Sequence, residues 1–449
     1  LRHGVQNSTE LAGAVGDPTN PALFMTLLPM ETPLEELVLS ASSSNESVLP
    51  AANITFSGRG VERTVSLEPV ARGMATITFV VSNGRGEQIT FSVDYAVSTH
   101  IPDSSGRYHS HISDASTALD VGDGYMLLAN DESNRLYLHK QYESGPPIKV
   151  WDFMDDGTQL RTTEADLEGA ARVGNQVVWI SSHGNGRDGD AKEYRRVLFA
   201  TTITGSGADV ELAFSGRYGG GPGAKDDVAA RGLWPDLIAW DRANGHGLGA
   251  DHLDFFAATQ DGVLPNAPDG FNIEGLEFAA DSATGYLGFR APTVDVHGIE
   301  HALIVPVTNM LELVDGIGGQ SGRAEFGQPI LLNLGGRSIR AMRRNASSQY
   351  LITAGPPDGA TPGVNDTWGL YTWDGDPKHA PSLNQQLPAP DPLTTGSWES
   401  IVSVPLPMLP GATFRLVADS GDTDFYGIGE TKDLIPGFQK SYSQLFTLR

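Results

Sequence analysis

The chain has 449 residues, with 55 acidic against 30 basic side chains, a formal net charge of −25 at pH 7, and no cysteine. That balance argues against nucleic-acid binding through a broad basic surface, and the missing thiols exclude a disulfide framework, a cysteine-ligated zinc and a thiol nucleophile. With 53 glycines, 28 prolines and 19% charged residues, the composition suits a turn-rich all-β chain of two domains.

The opening "LRHGVQ" shows no initiator Met and no signal-peptide pattern, so the chain is expected to be a processed product or a piece of a longer one. Residues 1–16 are polar and read as a linker. From Asp17 to Ser98 the pattern changes to short alternating stretches such as "LEELVLSASS", "NITFSGRG", "RTVSLEPV" and "GMATITFVVSNGRG". Gly, Asn and Pro turns separate them, which predicts an Ig-like β-sandwich over 17–98. The stretch "STHIPDSSGRY" bridges to residues 107–449, where strand-like segments fall into groups of four. The groups open with "HISDASTALDV", "DLEGAARV", "NIEGLEFA", "RSIRAMR" and "WESIVSV". Similar four-strand units in succession predict a β-propeller; five blades are counted and six are possible. The sixth would lie in the Gly-rich stretch 215–270, read either as a degenerate blade or as a long insertion with a short helix at "LWPDLIAWDRA".

Two resemblances accompany this reading. "TPLEELVLSASSSNESVLPAANITFSGRGVERTVSLEPVARGMATITFVVSNGRG" resembles the cadherin-like, Ig-like tandem repeats of bacterial surface and secreted proteins, which implies an exported spacer or adhesion module. "DASTAL", "LANDESNRLYLH", "DLEGAA", "FNIEGLEF", "GYLGFRAP", "YLITAGPP" and "LYTWDG" are similar, in order, to a bacterial propeller domain family of unknown function related to phytase-like and esterase-like propellers. That resemblance implies a fold and candidate positions without a reaction.

The chemistry centres on acids inside otherwise apolar runs. Aligning the five groups on their first strands places Asp114, Glu168, Glu274, Arg340 and Glu399 at a similar depth. First strands of propeller blades line the central channel, so four carboxylates and a guanidinium would meet around one axis. Like charges that close cannot all stay ionised without counter-charge. Arg340 compensates part of it, and a hard cation such as Ca2+, which takes six to eight oxygen ligands, is the natural remainder. Glu168, Glu274 and Glu399 are the candidate metal ligands; the glycine after the first two would permit close backbone approach and a carbonyl ligand. A metal-free network of salt bridges and water stands as the alternative.

Further acids, Asp131, Glu132, Asp419 and Asp422, lie at strand ends near one face. His183, Arg187 and Arg290 would hold an anionic substrate, since Arg matches phosphate oxygens bidentately. Asp114 is the candidate base, with Arg340 beside it. "HGIEH" (His297–His301) matches the H-x-x-E-H zinc string but enters a strand where that site needs a helix. No G-x-S-x-G elbow or P-loop is present. Two functions are expected of an exported, extracellular or cell-surface Ca2+-binding protein. One is a cation-dependent hydrolase of phosphate or carboxylic esters, with a small anionic or ester substrate. The other is a non-catalytic adhesion or surface-assembly module with a structural ion and a cell-surface partner. Neither involves nucleic acid or membrane insertion.

Overall fold

The computed structural model describes residues 9–27, 33–83, 85–99, 103–153, 164–219, 231–317, 322–357, 367–390 and 396–449. The chain is all-β, built from antiparallel sheets with short helices between them. Two sheets form the N-terminal part. One holds β1 (Glu10–Ala14), β3 (Val38–Ser43), β6 (Gly73–Ser82) and β7 (Gln88–Ser98) in the order β1-β7-β6-β3. The other holds β2 (Leu23–Thr26), β4 (Ile54–Ser57) and β5 (Glu62–Leu67) in the order β2-β5-β4. Alternation does the work here: β6 buries Ala75, Ile77 and Phe79 while the residues between them stay partly exposed. These join Leu23, Val65 and Tyr95 in one apolar cluster. Strand β1 lies in the stretch read as a linker. It pairs in parallel with β7, Glu10 opposite Asp94 through Ala14 opposite Ser98.

Five sheets follow. The first is β9 (Ala115–Gly122), β10 (Tyr125–Asn130), β11 (Arg135–Lys140) and β12 (Lys149–Asp152). The second is β13 (Leu167–Val173), β14 (Gln176–Ser181), β15 (Leu198–Thr204) and β16 (Glu211–Tyr218), extended by the two-residue β21 (Gly316–Ile317). The third is β17 (Asn272–Phe278), β18 (Gly285–Ala291), β20 (Ile299–Val307) and β19 (Val294–Val296), with β22 (Ile330–Leu332) also on β20. The fourth is β23 (Ser338–Arg344), β24 (Tyr350–Gly355), β25 (Trp368–Trp373) and β26 (Ser382–Leu387). The fifth is β27 (Ser397–Ile401), β28 (Thr413–Asp419) and β29 (Lys440–Thr447). Its fourth strand is β8 (Arg107–Ser110), which precedes the first sheet in the chain.

The first strands β9, β13, β17, β23 and β27 are neighbours in that cyclic order, β27 returning to β9. Each is covered on both faces, which is why they read as near-continuous apolar runs; β17 is buried at all seven positions. Arg343 of β23 ties its own strand to the other four. It donates to the carbonyls of Ala118, Ala170 and Ile401 and lies 3.5 Å from Glu277.

The expected helix is present as α1 (Leu233–Arg242), followed by the one-turn α2 (Phe255–Ala258). Among the described residues 231–270 there is no strand, so this stretch is an insertion between the second and third sheets and not a degraded sheet. Phe255 of α2 stacks on Phe289 at 5.5 Å, and Phe271 meets Phe289 edge-on at 5.4 Å. Each of these rings is fully buried, worth about 1.5–3 kcal/mol. They brace the start of β17 two residues before Glu274.

Candidate functional site

Every first strand carries a β-bulge, and the bulges occur at one structural position. In β13, Leu167 faces Ser181 and Gly169 faces Ile180, so Glu168 is the extra residue. The same skip singles out Glu274 in β17, Arg340 in β23 and Glu399 in β27. In β9 the skipped residue is Ser116, since Thr117 faces Ala129 and Ala115 faces Asn130. A bulge leaves its extra residue outside the ladder and re-aims the side chain. Four of the five aligned positions are therefore equivalent. The fifth is a correction: Asp114 precedes β9 by one residue, and Ser116 holds the equivalent place. Its hydroxyl donates to the carbonyl of Leu167 in the next first strand.

The glycines after the bulged acids have a packing role. A Cβ on Gly169 would lie 2.8 Å from Ile180 and 2.9 Å from Leu276; one on Gly275 would lie 3.1 Å from Ile339. They let adjacent first strands approach each other.

The ring of bulged residues divides into two halves. In one, the acids have cations. Arg340 Nε lies 2.5 Å from Glu274 Oε2, and its Nη2 donates to Glu399 Oε1. Arg290, near the end of β18, donates to Glu274 Oε1 at 2.9 Å, and Asn272 Nδ2 donates to the same oxygen at 3.1 Å. Burial pushes the Glu399 carboxyl up to about 8 against the pull of Arg340. Burial works against the Arg340 charge too, yet Glu274 and Glu399 hold its pKa above the ordinary value.

In the other half, acids face acids. Glu168 is 9% exposed, and its carboxylate meets those of Asp131, just after β10, and Asp166, just before β13. One oxygen from each lies within 4.8 Å of the other two. Asp131 keeps part of its side chain in contact with solvent, but its Oδ1 is covered and has no hydrogen-bond partner. Asp166, in the left-handed region at φ 57°, accepts from the Ser182 hydroxyl and pairs with Arg195 at 2.9 Å. That guanidinium is shared with Glu164. Burial raises Asp131, Asp166 and Glu168. Asp166 stands at about 6 despite Arg195. Glu168 is pushed well above the carboxylate range by burial, then by Asp166, Glu274 and Glu399. Asp131 is pushed up by burial, then by Asp114 and Asp419. Asp114 and Asp419 each reach about 7, burial first.

The donor set fits a hard cation. Two oxygens each about 2.4 Å from one Ca2+ lie at most about 4.8 Å apart, the limit within which these three carboxylates gather. All three donors are carboxylate oxygens, which favours calcium-like ions over soft metals. The expected trio of Glu168, Glu274 and Glu399 is thus separated by its counter-charges: Glu168 stays with the acids, and the other two are held by arginine.

Two open hollows flank the acidic half. One, of about 390 Å³, is lined by Asp114, Asn130, Glu132, Arg135 and Lys432 among others. The second, of about 430 Å³, is lined by Glu132, Glu164, Arg187, Lys192 and Arg195 among others. Arg187 is exposed there and lies 3.4 Å from Asp422. His183 does not join it. That side chain is 1% exposed, Nδ1 donates to the Ser181 carbonyl at 3.0 Å, and burial pulls its pKa down to about 4. Arg290 is committed to Glu274 and the Pro357 carbonyl. The H-x-x-E-H string straddles a turn and β20, with no helix.

Asp166 was missed in the sequence although it sits inside "ADLEG". Asp114, Asp166 and Asn272 each stand two residues before a bulge, and that recurrence was the available signal.

No protein-family model matches the chain, and no curated protein matches it. Among solved structures, a glucose dehydrogenase-type putative oxidoreductase from Thermus thermophilus is 12% identical, covering 75% of this chain and 98% of its own, at TM-score 0.32. Virginiamycin B lyase from Staphylococcus aureus is 11% identical, covering 92% and 100%, at TM-score 0.25. A luciferin-regenerating enzyme is 7% identical, covering 95% and 97%, at TM-score 0.28. These are weak neighbours, propeller-like folds among them, and likenesses of this size say nothing about activity.

Proposed function

We propose that the chain is a five-bladed β-propeller preceded by an Ig-like sandwich, and that it is an exported, cation-dependent hydrolase of anionic phosphate or carboxylic esters. The propeller reading is supported by the cyclic order of the first strands and by the return of β8 to complete the fifth sheet. It gives a sandwich that includes β1 and a propeller over residues 107–449.

The reading of function is carried by one observation: three carboxylates gather within 4.8 Å, and Asp131 Oδ1 is covered without a partner. A Ca2+-type ion held by Asp131, Asp166 and Glu168 would polarise an ester oxygen. Arg187 and Lys192, in the adjoining hollow, suit the substrate's negative charge. Asp114, which lines the other hollow, would accept the proton.

A second reading, a surface module with a purely structural ion, is favoured by the depth of Asp166 and Glu168, 6% and 9% exposed. Metal analysis of native protein and melting with and without EGTA test the ion, since a ligand bound to the folded state alone raises the melting temperature. Glu168→Gln and Asp131→Asn should abolish the EGTA-sensitive increment. A metal-free protein indifferent to EGTA and added Ca2+ refutes the site. Ester turnover lost with Arg187→Ala while the metal remains supports the hydrolase; a metal-loaded protein inactive on every phosphate and carboxylic ester tried supports the surface module.

A further inference from the structure

Strand β8 carries a histidine into the buried seam it makes with β29. His109 is 0% exposed and packs edge-on against His139 of β11, 1% exposed, with ring centroids 5.2 Å apart. His109 Nε2 lies 2.8 Å from Ser443 Oγ of β29. That oxygen accepts from Arg415 Nη1 at 2.8 Å, and its second lone pair can accept from a proton on His109 Nε2. The other nitrogens of the pair, His109 Nδ1 and His139 Nε2, are covered and have no hydrogen-bond partner. A second proton on either ring would therefore enter a site that offers it no acceptor.

The charges facing the pair are mostly of the wrong sign. Arg415 of β28 and Arg107 of β8 act on His109, and His111 acts on His139. Lys440 of β29 sits 4.0 Å over the ring of Tyr108, the neighbour of His109. Tyr137 lies tilted beside His139, with ring centroids 6.3 Å apart. Glu10 of β1 acts on His111.

The seam is also where the N-terminal sheets meet the rest. Lys440 Nζ donates to Gly13 O and to Ser98 Oγ at 2.8 Å. Tyr108 N donates to Ser144 Oγ, and Ser144 N donates to Thr19 Oγ1.

We propose that His109 and His139 form an acid-operated latch: protonating the pair frees β8 from β29 and loosens the junction between the N-terminal sheets and the fifth sheet. Burial already holds both rings neutral in the closed state, pulling His139 down to about 3 and His109 well below its ordinary value. The sign follows from this depression. The latch is at full strength above about pH 6.5, where the released histidines are neutral as well, and weakens as pH falls below it. Each pH unit below that point costs up to about tenfold in closing per histidine, so up to about a hundredfold for the pair at pH 5.5.

Hydrogen exchange by mass spectrometry on the full chain, corrected for intrinsic rates, reads this directly. Between pH 7.5 and 5.5, peptides covering β8 and β29 should lose protection by tens of fold while those covering β13 and β17 keep it. His109→Gln with His139→Phe should remove the pH dependence. Equal protection of β8 at the two pH values overturns the proposal, as does an unchanged pH dependence in the double variant. Should that variant not fold, histidine NMR on the wild type decides. Two rings that stay neutral to pH 5 in the closed protein support the latch, and rings that titrate near 6.5 with β8 in place refute it.

Discussion

Asp419→Asn is the sharpest test of the acidic half-ring. Asp419 ends β28, and its Oδ1 accepts from the Gly421 amide at 2.9 Å, a bond an asparagine oxygen keeps. Burial, then Asp114, hold the carboxyl at about 7 in place of 3.8. A folded-state pKa raised this way means that the group's stability is present at low pH and lost as pH rises through about 7. In ion-free protein at pH 8, ionised Asp419 therefore costs about 4 kcal/mol. At pH 5 the folded group is protonated and the cost falls to about 1–2 kcal/mol. Asparagine removes the charge but introduces a buried amide, a penalty of about 1–3 kcal/mol that does not vary with pH. The difference between the two pH values, about 2–3 kcal/mol, is free of that penalty. Urea unfolding in EGTA measures it. The variant should gain on the wild type by that amount on going from pH 5 to pH 8. An effect identical at both pH values would mean that Asp419 is comfortably ionised, and the electrostatic account of the half-ring would fail.

Two further substitutions probe the other contacts. Arg340→Leu strands Glu274 and Glu399 in the interior and should cost about 3–5 kcal/mol at pH 8. Thermal melting should show part of that loss recovered at pH 5.5, because Glu399, near 8 even with its arginine, takes up a proton readily. Gly421→Ala places a Cβ against Asp114 Oδ1, well inside contact distance, so the acid must move. Overpacking of this kind should cost about 1–3 kcal/mol in urea unfolding.

Much of the scaffold was legible in the sequence because apolar runs bounded by Gly and Asn turns mark strands wherever packing covers both faces. The "NIEG" and "DLEG" stretches stood out for the same reason: an acid inside such a run needs an explanation. Asp114 was misaligned because it stands two residues before Ser116, and positions two apart share a face under strand alternation. "SDAS" offered three polar residues, and only the register with Asn130 selects Ser116. The partition of the ring was illegible for a different reason. Asp131 and Arg195 reach Asp166 and Glu168 from other strands and loops, and no spacing along the chain encodes those approaches. Strand β1 was hidden by its small residues, Leu-Ala-Gly-Ala, which carry little alternation.

The pairing of β8 with β29 has a consequence for how the chain is made. His109 and Ser443, hydrogen-bonded across that pair, are 334 positions apart in sequence. During synthesis β8 emerges early and then waits for a partner that comes last, while the sheets between them assemble. For that interval its unpaired edge is open to foreign strands. Only four residues long, opening on Arg107 and followed by His111, it offers such strands a poor template. A chain cut short before β29 would carry four complete sheets and a fifth lacking the strand that β8 pairs with.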